Sequence, residues 1–168
     1  EIVLDYHNLI SNLFEIRATI NEYKPECWDV IGYSQALRKI LTKFGMPIGS
    51  TKDKKITNLF LSHSSEEELV EFLNGYYSGD GYVSNNSIEI CTKSKNLADA
   101  VETILTRLGI HYTSKFKVKI ATNSGFSGVY KVINIYGENA RLFRNLIRLT
   151  HKEKQKRLEN IKELKQNP

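Results

Sequence analysis

Leu69, Phe72, Leu73 and Tyr76 recur at helical spacing, and the pattern stops at Gly79-Asp80-Gly81. Ser65 followed by Glu68 is a capping box, and Glu66 and Glu67 suit the positive end of a helix, so the spacing predicts a helix from Ser65 to about Gly79. "GYVSNNSIEICT" reads as a hairpin with Asn85-Asn86 at its tip. "NLADAVETILTRLG" is a helix with Leu97, Val101, Ile104, Leu105 and Leu108 on one face. In "SKFKVKI" Lys115, Lys117 and Lys119 alternate with Phe116, Val118 and Ile120, which predicts a half-buried strand with one cationic face and its apolar face in the core. "ATNSGFSG" is a loop, "VYKVINIY" a strand, "NARLFRNLI" a helix and "HKEKQKRLENIKEL" a last, charged helix. Upstream, the pattern predicts an amphipathic helix over residues 6–16, and "ATINEYK" and "CWDVIGY" read as strands around Pro25. "SQALRKILTKFG" is a helix between the N-cap Ser34 and the C-cap Gly45, and "MPIGSTKDKKI" is a loop.

The start of the chain repeats the pattern of its second half. "EIVLDYHNLISNLFEI" lies over "EICTKSKNLADAVETI", and strand, strand, helix follows in both places. The internal repeat spans about 90 residues, read from periodicity rather than identities. Residues 1–46 are then the remainder of a first repeat that lacks its opening helix and first strand. Residues 47–64 are a linker loop, and 65–168 a complete second repeat. The element order gives an α+β fold with helices on one face of antiparallel sheets. The incomplete first repeat implies a longer polypeptide or a second chain.

Composition narrows the class of function. Of 168 residues, 40% are hydrophobic and 26% charged, which is globular rather than disordered. No apolar run approaches the roughly 20 residues that span a bilayer, and no signal peptide opens the chain. Cys27 and Cys91 match no zinc spacing and read as free thiols, consistent with an intracellular, cytoplasmic or organellar location. His63, His111 and His151 do not cluster as metal ligands. Residues 1–68 carry 8 Lys/Arg against 10 Asp/Glu, whereas residues 69–168 carry 16 against 9. A basic second half suggests an anionic partner, most simply nucleic acid, and the alternative is a solvated basic surface.

Asp80 is harder to place. The C-terminal end of a helix carries partial negative charge and disfavours a carboxylate. By itself "SGDG" reads as a glycine cap followed by a turn. The wider stretch "FLNGYYSGDGYV", however, resembles the LAGLIDADG (dodecapeptide) motif of homing endonucleases encoded by inteins and introns. "ALRKILTKFGMPIGSTKDKKI", "SIEICTKSKNLADAVETILTRLGI" and "LIRLTHKEKQKRLENI" are similar to the segments that flank that motif, and together they cover nearly the whole chain.

The resemblance implies two pseudo-symmetric αββαββα repeats, forming a saddle of antiparallel sheets with helices on the outer face. It implies that motif helices pack through small residues, here Gly75 and Gly79, and that each delivers an acid, here Asp80, to hold Mg²⁺ or a similar divalent cation such as Mn²⁺. Tyr77-Ser78 stands where an apolar–acidic pair is more usual. A lysine at the start of the closing helix assists catalysis in the family; Lys152 aligns best with it and Lys154 is its rival. Thr92 occupies a position often taken by glutamine. The sheet would lie in the major groove of double-stranded DNA, with Lys115, Lys117 and Lys119, Lys93, Asn86 and Glu89, and Lys131 or Asn134 as contacts.

The implied activity is sequence-specific, metal-dependent cleavage of both strands of a long DNA site. Two carboxylates are needed and one is visible, so the second lies upstream or in another subunit. A DNA-binding module of the same fold that no longer cuts, and an intron maturase that binds folded RNA, are the alternatives.

Overall fold

The computed structural model describes residues 2–46, 53–120 and 127–161. The chain divides into two compact units, Glu1–Lys43 and Phe44–Pro168.

In the first unit α1 (Ile2–Asn8) runs into a π-helical turn (Leu9–Leu13), followed by the antiparallel pair β1 (Ala18–Lys24) and β2 (Cys27–Gly32) and by α2 (Gln35–Lys43). Ser34 Oγ accepts from Leu37 N at 3.1 Å, the expected N-cap. Ile10 and Ile16 crowd against Gly32, where a Cβ would meet Ile10 at 3.1 Å. No described side chain of this unit is fully buried. Leu4, Leu9, Leu13 and Tyr33 are largely exposed. Forty-odd residues are too few to enclose a core by themselves.

The second unit holds the core. It begins with α3 (Asn58–His63), inside the stretch expected to be a linker loop. Thr57 Oγ1 accepts from Phe60 N, a cap that lets "NLFLSH" close a short helix and seat Phe60 between Phe44 and Phe72. Residues 47–52 of the expected linker lie outside the described residues, as do loop residues 121–126 and the chain end from 162. After α3 come α4 (Glu66–Asp80), β3 (Tyr82–Val83), β4 (Ser87–Thr92), α5 (Lys95–Arg107), β5 (Thr113–Ile120), β6 (Ser127–Tyr136), α6 (Gly137–Leu146) and α7 (Lys152–Glu159). From α5 to α6 the order is helix, strand, strand, helix, as in the first unit.

The sheet runs β3-β4-β6-β5, antiparallel throughout. Ile88 pairs with Ile135 and Ile90 with Ile133, and these four side chains face the helices. Against them pack Leu69, Leu73 and Tyr77 of α4, Val101, Ile104 and Leu105 of α5, Phe143 of α6 and Leu158 of α7.

β5 departs from expectation. Phe116, Val118 and Ile120 are 61%, 71% and 69% exposed, while Lys117 and Lys119 on the opposite face are half-buried. β5 is an edge strand, and the helix layer packs on β4 and β6. Its alternation is as expected, but nothing among the described residues covers its apolar side.

The α4 capping box is complete. Ser65 N donates to Glu68 Oε2 at 2.8 Å, and Glu68 N donates to Ser65 Oγ at 3.2 Å. Tyr77 is fully buried, and its hydroxyl has no hydrogen-bond partner among the described residues. Burial, then the neighbouring Tyr76, push its phenol far above the ordinary tyrosine pKa. Tyr77→Phe removes an unsatisfied polar atom and keeps the ring. It should leave the urea midpoint unchanged or raise stability by up to about 1 kcal/mol. A loss above about 1 kcal/mol would mean that the hydroxyl has a partner.

Candidate active site and sheet face

α4 ends on Asp80, which is exposed. Gly81 caps the helix, donating its N–H to Tyr77 O at 3.0 Å. A Cβ on Gly81 would lie 2.6 Å from that same carbonyl, so the turn after Asp80 requires glycine by crowding. Gly75 and Gly79 lie on the exposed side of α4, where an added Cβ meets nothing within 4 Å. Among the described residues neither glycine has a helix packed on it.

The partial negative charge at the end of α4 is met by Lys154. Its Nζ donates to Ser78 O and Gly79 O, each at 2.8 Å, with Tyr77 O farther off at 3.5 Å. An ammonium has three donors, so two are engaged at good distance and the third makes only the long bond to Tyr77 O. Burial pulls the Lys154 pKa below the ordinary lysine value, while the charge of Asp80 works to raise it. Lys154→Met leaves two carbonyls of the last turn without their cation. It should cost roughly 1–2 kcal/mol in chemical denaturation, discounted because the site is part-exposed. An unchanged midpoint would show that water serves those carbonyls equally well.

Two polar residues in the apolar face of α4 position α7. Asn74 Oδ1 accepts from Arg148 N at 2.9 Å, and Ser78 Oγ accepts from Thr150 N at 2.8 Å. They are buried and one turn apart, and they hold the segment that leads into α7. The side chain of Gln155 accepts from Leu149 N at 2.7 Å and tightens the same turn. In the sequence Ser78 stands out only as a departure from the motif. The signal was an i, i+4 polar pair in a helix stripe otherwise apolar.

Of the two candidate lysines, Lys154 is held at the end of α4 by its carbonyl bonds. Lys152 opens α7 and has an interaction of its own. Thr92 ends β4, and its hydroxyl accepts from Ser94 N at 3.1 Å, bracing the turn into α5. The buried phenol of Tyr76 lies near Thr92 and Asp80; burial, then the Asp80 charge, raise its pKa.

The open face of the sheet carries most of the other predicted residues. Register places Glu89 opposite Asn134, Lys115 opposite Val132, Lys117 opposite Tyr130 and Lys119 opposite Gly128, all on the side away from the helices. Lys119 Nζ meets Glu89 Oε1 at 2.6 Å, a bond that spans the sheet. Burial works to lower the Lys119 pKa, but Glu89 and neighbouring groups hold it above the ordinary value. Lys93 Nζ lies 5.1 Å over the Tyr130 ring, a cation–π contact that no spacing in the sequence encodes. Asn134 is on this face but nearly fully covered, at 3% exposure. Asn86 is exposed at the hairpin tip.

Lys131 faces the other way. It meets Asp99 at 2.8 Å and Glu102 at 2.9 Å on α5, so of the pair Lys131 or Asn134 the open face takes Asn134. The reason is parity: Lys131 is one residue from Val132 and therefore shares the helix side with Ile133.

Among the described residues no three His, Cys, Asp or Glu side chains group as a metal cage, and no helix is long and apolar enough to cross a membrane. Asp80 still fits Mg²⁺ in one respect. It is a hard-oxygen ligand, and Mg²⁺ is commonly held by one or two carboxylates together with substrate phosphates. It would serve as one ligand of a shared site.

Residues 67–148 match the family described as a LAGLIDADG-like domain. The chain is 33% identical over 148 residues to the ATP-dependent DNA helicase Hel308 of Methanocaldococcus jannaschii, and 29% identical over 138 residues to DNA-directed RNA polymerase subunit Rpo1C of the same organism. Each match covers 81% of this chain but only 12% and 14% of those proteins. Among solved structures, a variant of I-DmoI in complex with its target DNA in the presence of 2 mM Mg superposes with a TM-score of 0.56 at 19% identity, over 84% of this chain and 68% of that one. A structure of mesophilic variants of the homing endonuclease I-DmoI gives 0.56 at 17% identity, over 88% and 72%. At such identities the likeness establishes the fold.

Proposed function

We infer that this chain, which belongs to the LAGLIDADG family through its domain at residues 67–148 and has the homing-endonuclease fold, is the endonuclease part of a mobile insert. It would bind double-stranded DNA along its lysine-bearing sheet face and hydrolyse a phosphodiester in each strand. The observation that carries this reading is that Lys154 bonds the last-turn carbonyls of the helix that ends on the exposed Asp80, whose charge acts on it. The insert origin is favoured by the two relatives, a helicase and an RNA polymerase subunit. They share a segment that is a small fraction of either, as expected of an element that moves between hosts rather than a part of either enzyme.

Each residue has a role within this reading. Asp80 would hold Mg²⁺ jointly with a second acid from a first motif, supplied upstream or by another subunit. A bound divalent ion would supply charge stabilisation at the attacking and leaving oxygens. Lys154, oriented by its two short carbonyl bonds, would turn its third donor from the long bond to Tyr77 O to a phosphate oxygen as negative charge builds there. Gly75 and Gly79 would give the second motif helix its close approach. Lys115 and Lys117, which make no ion pair among the described residues, would meet phosphates first.

The test is selection from a randomised duplex library with the chain joined to a first acidic motif, run with Mg²⁺ and with chelator. The expected result is a family of related sequences cut on both strands only with Mg²⁺. Selective binding with no cutting would replace this reading with a DNA-binding module. Preference for folded RNA over any duplex would replace it with a maturase.

A further inference from the structure

The ion pair on the open sheet face carries an inference that rests on, and goes beyond, the DNA-binding reading. Lys119 and Glu89 are the one pair of opposite charges that meets across this face among the described residues, at 2.6 Å and with both side chains mostly covered. Lys115 and Lys117 share the face and make no ion pair among the described residues. A row of three lysines would attract any phosphate backbone. Here the third is neutralised by a carboxylate from the next-but-one strand of the sheet.

We propose that Glu89 is a specificity-determining residue, a clasp that keeps Lys119 from unselected phosphates. To use Lys119 on a phosphate, a duplex must first separate it from Glu89. That step leaves a carboxylate facing polyanionic DNA. A non-specific complex, made of phosphate contacts alone, gains nothing to offset the exposed charge. A complex that presents a base amino group to Glu89 does, since a carboxylate can accept from cytosine N4 in the major groove. The pair thus weakens binding everywhere except where the sequence satisfies Glu89, and raises discrimination at the expense of affinity.

The test uses the full chain, a random-sequence duplex and fluorescence anisotropy across a NaCl series. Glu89→Gln should bind that duplex roughly three- to tenfold more tightly at low salt, with a salt slope steeper by about one. Thermal melting of each variant confirms that it folds. The same substitution is then repeated in a Lys119→Met background, where it should change affinity by less than twofold. An equal gain in both backgrounds would mean a general charge effect and overturn the clasp. So would wild-type binding that Glu89→Gln leaves unaltered. If the wild-type chain does not bind the duplex even at low salt, the DNA-binding reading itself fails, and the clasp with it.

Discussion

The result expected of Asp80→Asn is loss of DNA cleavage with folding and DNA binding intact. The substitution keeps shape and removes one charge from an exposed helix end. Stability should move by no more than about 0.5 kcal/mol, because loss of attraction to Lys154 is offset by relief of the unfavourable helix-end charge. Cutting should fall by roughly 10²–10³-fold or more, the range for loss of a central electrostatic group. Cleavage of a selected duplex with Mg²⁺ is the readout, with anisotropy on the same duplex as the control. Activity within tenfold of wild type would make Asp80 a solvated turn residue. Equal loss of binding and cutting would point to damage at the sheet face rather than at a metal ligand.

The largest stability loss is expected at Phe143. Its side chain is fully buried, and its ring centroid lies 4.8 Å from that of Tyr77. Truncation to alanine removes the transfer energy of the ring and leaves a cavity under α4. The expected cost is about 3–5 kcal/mol, a large fraction of a typical domain's stability. Urea denaturation measures it. The effect should spread, because Tyr77 belongs to the turn whose carbonyls Lys154 grips. Hydrogen exchange in the last turn of α4 should therefore rise more than at the capped N-terminus. A cost below about 1 kcal/mol would show that α4 and α6 do not share the core described.

Much of this was legible in residue order. The α4 capping box, the N-cap at Ser34 and the hairpin turn at Asn85-Asn86 are local, and local chemistry decides them. The strand alternation was equally legible, and it sorted Lys115, Lys117 and Lys119 from Phe116, Val118 and Ile120. What alternation cannot say is which face is covered. For β5 the apolar side lies on the helix side of the sheet yet is uncovered among the described residues, because covering it depends on how far the helix layer extends. Lys131 and Asn134 could not be separated for a similar reason. Their faces follow from pairing with β4, and neighbouring Val132 and Ile133 are both apolar. The helix α3 was missed because its signal is a single threonine cap before six residues.

The candidate site divides the same way. Sequence alone determined that an acid ends a hydrophobic helix between glycines, that the second half is basic, and that the surrounding segments resemble one family. Each depends on residue type and spacing along the chain. Tertiary structure alone decided that Lys154 bonds the carbonyls of that helix end, that Asn74 and Ser78 hold the approach to α7, and that Lys119 is already held by Glu89. These contacts join residues about 30 to 75 positions apart. No periodicity encodes such a meeting; it follows from how the sheet and its helices pack.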